Sequence, residues 1–432
     1  MNDKQFLKCF LTIMILICAQ VTGWARNNNL PAMQEDVVLQ WNRVLMETVL
    51  TPGQHPATIM QVRSYAMMHA AIFDAVNSID GSHSPYLIDV PGSQNASIEA
   101  AAAQAAHDVL ASLYPSRVSV FDAELAVSLQ GIEEYRAQQG IRVGQIVAER
   151  LLAARANDGW TVTPPSYVLP STPGNWQPGP PANAAATFTH YPNVMPFGIT
   201  SGTQFGPNAP PAMTSAQYAA DLNEVKEIGS AASLTRTADQ TQVARLWANI
   251  NTPTNFLLVW NNVARTVSVD RGLTVVEKAR LFALTNIALH DALLTTFTAK
   301  FQYGMWRPVT AIRRADEDGN ANTTADPSWS SLVPSPPYPS YAGNMAAIGT
   351  SQSTILAQFF GRNDIRFQHT WAGAGGATRS YAGFSAMANE QERARVYGGI
   401  HFTFDNVAGQ AVGRNVANYI LANVMRPRVC VR

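Results

Sequence analysis

The sequence predicts an all-α protein, a helical bundle architecture carrying long proline-rich loops, and three observations carry that prediction. Apolar residues recur at helical spacing, as in Val38, Trp41, Leu45 and Val49, which fall on one face of an amphipathic helix. Helix-start signatures recur as well. Thr214 with Gln217, Thr237 with Gln240, and Thr274 with Glu277 each fit the capping box, in which a hydroxyl and a side chain three residues on satisfy free backbone donors. Proline, finally, is crowded into two stretches, which leaves the remainder of the chain open to regular helix.

The chain begins with a short basic segment, Met1 to Lys8, followed by an apolar run from Cys9 to about Val21 and then Gly23-Trp24-Ala25. That run is too short to span a bilayer comfortably, and the small residues that follow match a secretory signal peptide cut after Ala25. The alternative is an uncleaved N-terminal anchor. Export to the periplasm or the outside is the expectation, with residues 26–432 forming one helical domain. Cleavage would remove Cys9 and Cys18 and leave Cys430 alone, so neither an intrachain disulfide nor a cysteine metal site is expected.

Residues 161–213 and 316–342 are the two proline-rich stretches. The first contains Trp176, Phe188, Tyr191 and Phe197, poor choices for a fully solvated linker, so it reads as a long loop packed across the helices and over an active-site mouth. An internal echo joins Ala71-Ile72-Phe73-Asp74-Ala75 to Ala288-Leu289-His290-Asp291-Ala292. It suggests two related bundles packed together, over about 35–215 and 216–425.

Lys plus Arg and Asp plus Glu balance at 30 each, so no global charge draws the chain to nucleic acid or to anionic lipid. No stable membrane span is expected after the leader. Any anion site must be local, and three segments can build one. Lys300 stands seven residues before Arg307-Pro308, in an aromatic and apolar stretch unlike a solvated charged face. Proline biases the residue before it toward extended geometry, so Arg307 should lie where the chain leaves the helix of Lys300. The second segment runs from Arg395 through Gly398-Gly399 to His401 and Asp405, with a helix expected to open near His401. On that helix Asp405 would sit one turn from His401, accept its N–H and leave the other ring nitrogen as a lone-pair donor. In the third, Pro337 to Met345, a proline-rich turn feeds a helix from Ala346 to Phe360. The amides of Gly343 and Asn344 would then face an anion at its N-terminus.

Two guanidinium forks, an ammonium, helix-start amides and an oriented imidazole are what a tetrahedral oxyanion such as phosphate or vanadate requires. K-x(6)-R-P, a P-S-G-H-like turn and then R-x(3)-G-x-H-x(3)-D together resemble the signature of the vanadium-dependent haloperoxidases, in the superfamily of the type 2 phosphatidic acid phosphatases. Met68 to Ala75 and Trp306 to Arg313 are similar to the bacterial, soluble branch. The resemblance implies that Lys300, Arg307 and Arg395 hold the oxygens of vanadate, or of phosphate in the same site. It also implies that His401 is the vanadium ligand or a phosphohistidine nucleophile, and that Asp405 orients it. Hydrogen peroxide and a halide would be the substrates, with hypohalous acid the product; a phosphate ester would be the substrate of a phosphatase. Two positions depart from the pattern. Asn344 or Met345 stands where the family has its proton-transfer histidine, and Ala394 replaces a serine. His290 or His190 would have to supply that group. The readings are therefore a haloperoxidase, an acid phosphatase and a non-catalytic binder of phosphate or vanadate.

Overall fold

A computed structural model describes residues 35–54, 58–91, 94–180, 182–248, 256–372 and 374–428. The leader with Cys9, Cys18 and Ala25, and likewise Cys430, lie outside the described residues. Among those described are thirteen α-helices and one two-stranded antiparallel hairpin. In chain order the helices are α1 (Val37–Leu50), α2 (Val62–Asp80), α3 (Ile98–Leu113), α4 (Val118–Ser128), α5 (Glu134–Ala154), α6 (Ala216–Ile228), α7 (Ala238–Ala248), α8 (Phe256–Asp270) and α9 (Val275–Tyr303). After α10 (Pro308–Arg313) and α11 (Asn344–Phe359) come strands β1 (Phe367–Trp371) and β2 (Ala377–Tyr381), then α12 (Phe384–Tyr397) and α13 (Thr403–Asn423). None of these helices is long and apolar enough to cross a membrane.

The all-α expectation holds, and so does its physical basis. Val38, Trp41, Leu45 and Val49 are all buried on α1. Two of the three capping boxes form. Thr274 Oγ1 accepts from Glu277 N at 3.2 Å while Glu277 Oε2 accepts from Thr274 N at 2.8 Å, and Thr237 and Gln240 exchange the same pair of bonds. The third is corrected. α6 is capped by Ser215, whose Oγ accepts from Tyr218 N, and Gln217 turns instead to Asp221 at 2.8 Å. Adjacent hydroxyl residues compete for one cap, and here the second wins.

Helix α9 is the shared axis: it packs on α2 to one side and on α11 and α13 to the other. The two groups of helices are tied down by matching devices. In α2, Asp74 accepts from the backbone amides of Tyr86, Leu87 and Ile88 at 2.6–2.9 Å. In α9, Asp291 accepts from Phe197, Gly198 and Ile199 at 2.6–2.9 Å. A buried carboxylate satisfying three successive N–H groups fixes a loop that could not otherwise be buried. The echo in the sequence thus has one physical task, performed twice. The start of α3 crosses α5 where Gly140 and Gly144 leave no room for a Cβ, and the start of α11 crosses α13 at Gly409 and Gly413 in the same way. Ser97 N donates to Arg136 O at the first crossing, and Gly343 N to Asp405 O at the second.

Among the described residues, neither proline-rich stretch contains α-helix, as expected. The first is pinned to the chain after α9 by Trp176 N to Gly304 O and Trp306 N to Gly174 O, and to the second by Thr187 N to Pro337 O. Trp176, Tyr191 and Phe197 are buried. Burial of these rings adds to those backbone bonds in tying the loop down.

Candidate functional site

Lys300, Arg307, Arg395, His401 and Asp405 converge in the interior. The main core contributes Phe297, Tyr338 and Ala394 around them, and a smaller apolar cluster contributes Trp306, Tyr341, Phe402 and Phe404. The charged side chains and His401 are buried together with apolar neighbours from both clusters.

Helix α9 ends where Gly304 takes a left-handed conformation, φ 58°. In its last turn Lys300 is fully buried, and Nζ donates to Ser340 O at 2.7 Å and Ala342 O at 2.6 Å. Arg307 precedes Pro308 in extended geometry, φ −84° and ψ 157°, at the start of α10, as the proline requires. It donates Nε to Tyr338 O at 2.8 Å and Nη1 to Ile400 O at 2.9 Å. Arg395, in the last turn of α12, donates Nη1 to Trp247 O at 2.9 Å. Of their other N–H groups, Arg307 Nη2 and Arg395 Nε are buried without a hydrogen-bond partner among the described residues. These orphan donors are what a bound oxyanion would satisfy.

His401 requires a correction. Helix α13 begins at Thr403, so His401 lies just before the helix and does not share its face with Asp405. Asp405, in the first turn, reaches back: Oδ2 accepts from Phe402 N at 3.1 Å and from His401 Nδ1 at 2.8 Å. The expected contact exists, made by a capping carboxylate. Arg307 Nη1 stands 3.1 Å from His401 Nε2, and a guanidinium can only donate. Nε2 therefore carries the lone pair and Nδ1 the proton. Burial, with the charges of Arg307, Lys300 and Arg395, holds the imidazole well below the usual histidine range. The same burial pushes Lys300 well below the usual lysine range and Asp405 up to about 6, the latter against the pull of the Ser340 hydroxyl and Lys300.

Gly343 is also corrected. Its amide is already spent on Asp405 O, so it offers nothing to an anion. Asn344 opens α11, where its own N–H belongs to the first turn that no intrahelical carbonyl can reach. Its side chain is buried. Met345 turns into the core, with Sδ 3.9 Å from Gln391 Nε2. Neither histidine proposed as a substitute bonds to the pocket. His290 Nδ1 pairs with Asp291 Oδ1 at 3.0 Å and its ring lies against Phe197, while the ring of His190 lies against Tyr191.

Two contributors escaped the sequence. Ser340 Oγ donates to Asp405 Oδ2 at 2.6 Å, adding a second fixed donor to the carboxylate that orients His401. The carbonyl holding Arg395 belongs to Trp247, whose indole donates to Glu390 Oε1 at 3.0 Å and meets Trp371 edge-on. Glu390 also accepts from Tyr381 Oη at 2.7 Å and Arg379 Nε at 2.8 Å. The β-hairpin and Glu390 thus brace the helix end that positions Arg395. Glu390→Ala is expected to weaken phosphate or vanadate binding by about tenfold without removing any group that contacts the anion. Isothermal titration beside a circular dichroism control checks it; unchanged affinity would sink the brace.

Residues 280–428 match the family model of the VCPO second helical-bundle domain, and every pocket residue named above lies inside that span except Trp247. The vanadium chloroperoxidase of Curvularia inaequalis is 24% identical, over 75% of this chain and 65% of its own length. The chain thus spans just under two thirds of that relative. A bacterial vanadium-dependent iodoperoxidase superposes with a TM-score of 0.77 at 21% identity, covering 91% of this chain and 96% of the other. A holo-type bacterial vanadium-dependent chloroperoxidase gives 0.67 at 16%, covering 92% and 95%. The expected relationship to the vanadium-dependent haloperoxidases is borne out, as is the helical fold.

Proposed function

We propose that this relative of the vanadium haloperoxidases binds vanadate in the pocket of Lys300, Arg307, Arg395 and His401 and uses hydrogen peroxide to oxidise a halide to hypohalous acid. The observation that carries the reading is the charge balance. Lys300 and two arginines are buried against one carboxylate, Asp405, leaving two positive charges in excess when all are ionised. Buried charge needs a partner, and a tetrahedral dianion supplies the missing negative charge and the acceptors for Arg307 Nη2 and Arg395 Nε together. The donor set fits vanadate and phosphate alike. His401 Nε2 would be the ligand, and Arg307 would move its Nη1 bond from that nitrogen to an oxygen. Asp405 and Ser340 would keep the ring oriented throughout. When bound, vanadate supplies Lewis acidity toward peroxide without changing its own oxidation state.

Proton transfer is the weak point of this chain. Asn344 is an amide and Met345 a thioether, and neither exchanges a proton in the working pH range. Loss of a general acid or base costs about 100- to 10,000-fold, so slow turnover is expected. His401 Nε2, a lone pair on an oriented ring once Arg307 Nη1 moves off it, keeps the phosphatase reading alive.

The test uses the protein as purified. Vanadate is expected to raise the melting temperature, since a ligand at 100 times its Kd adds about 2.7 kcal/mol of stability. Vanadate-loaded protein should then brominate a dye when peroxide is present. Release of phosphate from an aryl phosphate, inhibited by vanadate, would move the assignment to a phosphatase. Binding with neither reaction would leave an oxyanion-binding protein, and no thermal shift with either anion would remove the pocket altogether. Export to the periplasm or the outside is proposed on the leader pattern alone, and fractionation of the native host checks it.

A further inference from the structure

Tyr338 stands on the same proline-rich turn as Asn344, among the cations of the pocket. Its backbone is fixed on both sides. Pro337 and Pro339 flank it, its N–H donates to Pro336 O at 2.9 Å, and its carbonyl accepts from Arg307 Nε at 2.8 Å. The ring is buried against Phe297, with centroids 5.0 Å apart. Two cations lie over it, Lys300 Nζ at 5.4 Å and Arg307 Cζ at 4.8 Å from the centroid. Its hydroxyl reaches a third. Burial lowers Arg307 and Arg395 from the usual arginine range, and in each the largest opposing influence is the Coulombic pull of Tyr338. One phenol is thus set among Lys300 of α9, Arg307 before α10 and Arg395 of α12; Asp405 and His401 complete the charged and titratable groups of the pocket.

We propose that Tyr338 is the proton-transfer group of this pocket, in the role that neither Asn344 nor Met345 can fill. The inference rests on the haloperoxidase reading and deepens it by naming the source of the proton. Halide, hydrogen peroxide and one proton combine to give hypohalous acid and water. A halogen–oxygen bond forms and the O–O bond breaks, the halide giving up two electrons and the peroxide taking them. The oxygen that departs needs the proton, and the Tyr338 phenol donates it; water then returns a proton to the phenolate. Tyrosine is one of the side chains that act as general acids, and nearby cations offset the negative charge left on a phenol that has released its proton. A phenol is a weaker acid than an imidazolium, which accords with slow turnover. The flanking prolines and the buried ring hold the group in place beforehand, so little reorganisation is needed when the proton moves.

Tyr338→Phe keeps the ring and its cation contacts and removes only the hydroxyl. Vanadate affinity should fall by no more than about tenfold, the worth of one hydrogen bond, while kcat for bromination at saturating vanadate falls by about 100- to 10,000-fold. Protein isotopically labelled at the tyrosine Cζ gives a readout without vanadate or turnover: titrated phosphate should shift the resonance that Tyr338→Phe lacks, over the concentrations at which phosphate binds. A fluorinated, more acidic tyrosine at position 338 should move the alkaline limb of the pH–rate profile to lower pH. The role is overturned if Tyr338→Phe brominates like wild type, if vanadate affinity falls as far as kcat, or if phosphate leaves the Tyr338 resonance unmoved. Bromination that survives in Tyr338→Phe defeats the role and leaves the haloperoxidase reading standing. Hydrolysis of an aryl phosphate in place of bromination, slowed at least about 100-fold in Tyr338→Phe, does the reverse, because the leaving oxygen of a phosphate ester needs the same proton. If wild type catalyses neither reaction, both fall.

Discussion

Vanadate-dependent bromination should disappear in His401→Ala, and vanadate affinity should fall by more than about 100-fold. The estimate follows from position. Groups that merely orient a ligand cost about 10- to 100-fold in metal affinity when removed, and His401 would itself be the ligand. Asp405→Asn supplies the graded comparison. Its amide oxygen can still accept from His401 Nδ1, but the carboxylate that also holds Phe402 N and Ser340 Oγ is gone, so a loss of about 10- to 100-fold is expected. Equilibrium dialysis with vanadate measures both variants, and thermal melting shows that each is folded. If His401→Ala still bound vanadate like wild type, the arginines and Lys300 alone would hold the anion. The pocket would then be an electrostatic cradle without a ligating histidine. Burial favours the expected result, because the imidazole is held neutral with its Nε2 lone pair aimed at Arg307.

The sequence revealed the parts of this site whose signal is a residue type out of place. Lys300 and Arg307 stand in an aromatic run, and Arg395 and His401 bracket a glycine pair; charge among apolar neighbours is legible without coordinates. The helix start at Thr403 was misplaced because Phe402 is no capping residue; the cap comes from Asp405 reaching back three positions. Reading Asp405 as a first-turn acid would have set the boundary. Ser340 was hidden for another reason. No spacing rule connects residue 340 to residue 405, and their 2.6 Å bond exists only because α11 crosses α13 at Gly409 and Gly413. Trp247 was invisible in principle, since its contribution is a backbone carbonyl, which every residue possesses. Gly343 shows the converse. Its place at a helix start was read correctly, but the same crossing that builds the site consumes its amide on Asp405 O.

That crossing and the Asp291 clamp make a second large effect predictable. Asp291→Ala should destabilise the fold by about 3 kcal/mol or more, because the buried amides of Phe197 and Ile199 and the part-buried amide of Gly198 lose their acceptor at once, each worth about 1–3 kcal/mol when unpaired. His290 Nδ1 loses its partner as well. Asp291→Asn should fall between, since one carbonyl oxygen can still accept but the second oxygen becomes a donor facing N–H groups. Denaturant unfolding followed by tryptophan fluorescence measures both variants; equal stability of Asp291→Ala and wild type would show that water replaces the carboxylate without loss. Asp74→Ala removes the same device from α2, and the difference between the two variants isolates what α9 does beyond clamping a loop. Helix α9 also carries Lys300, nine residues past Asp291, and the clamped segment 197–199 belongs to the proline-rich stretch that lines a cavity beside Arg307 through Trp176 and Gln177. Loosening Asp291 should therefore weaken vanadate binding in the folded protein, whereas loosening Asp74, on a helix that carries no pocket residue, should lower stability and leave the anion affinity in place.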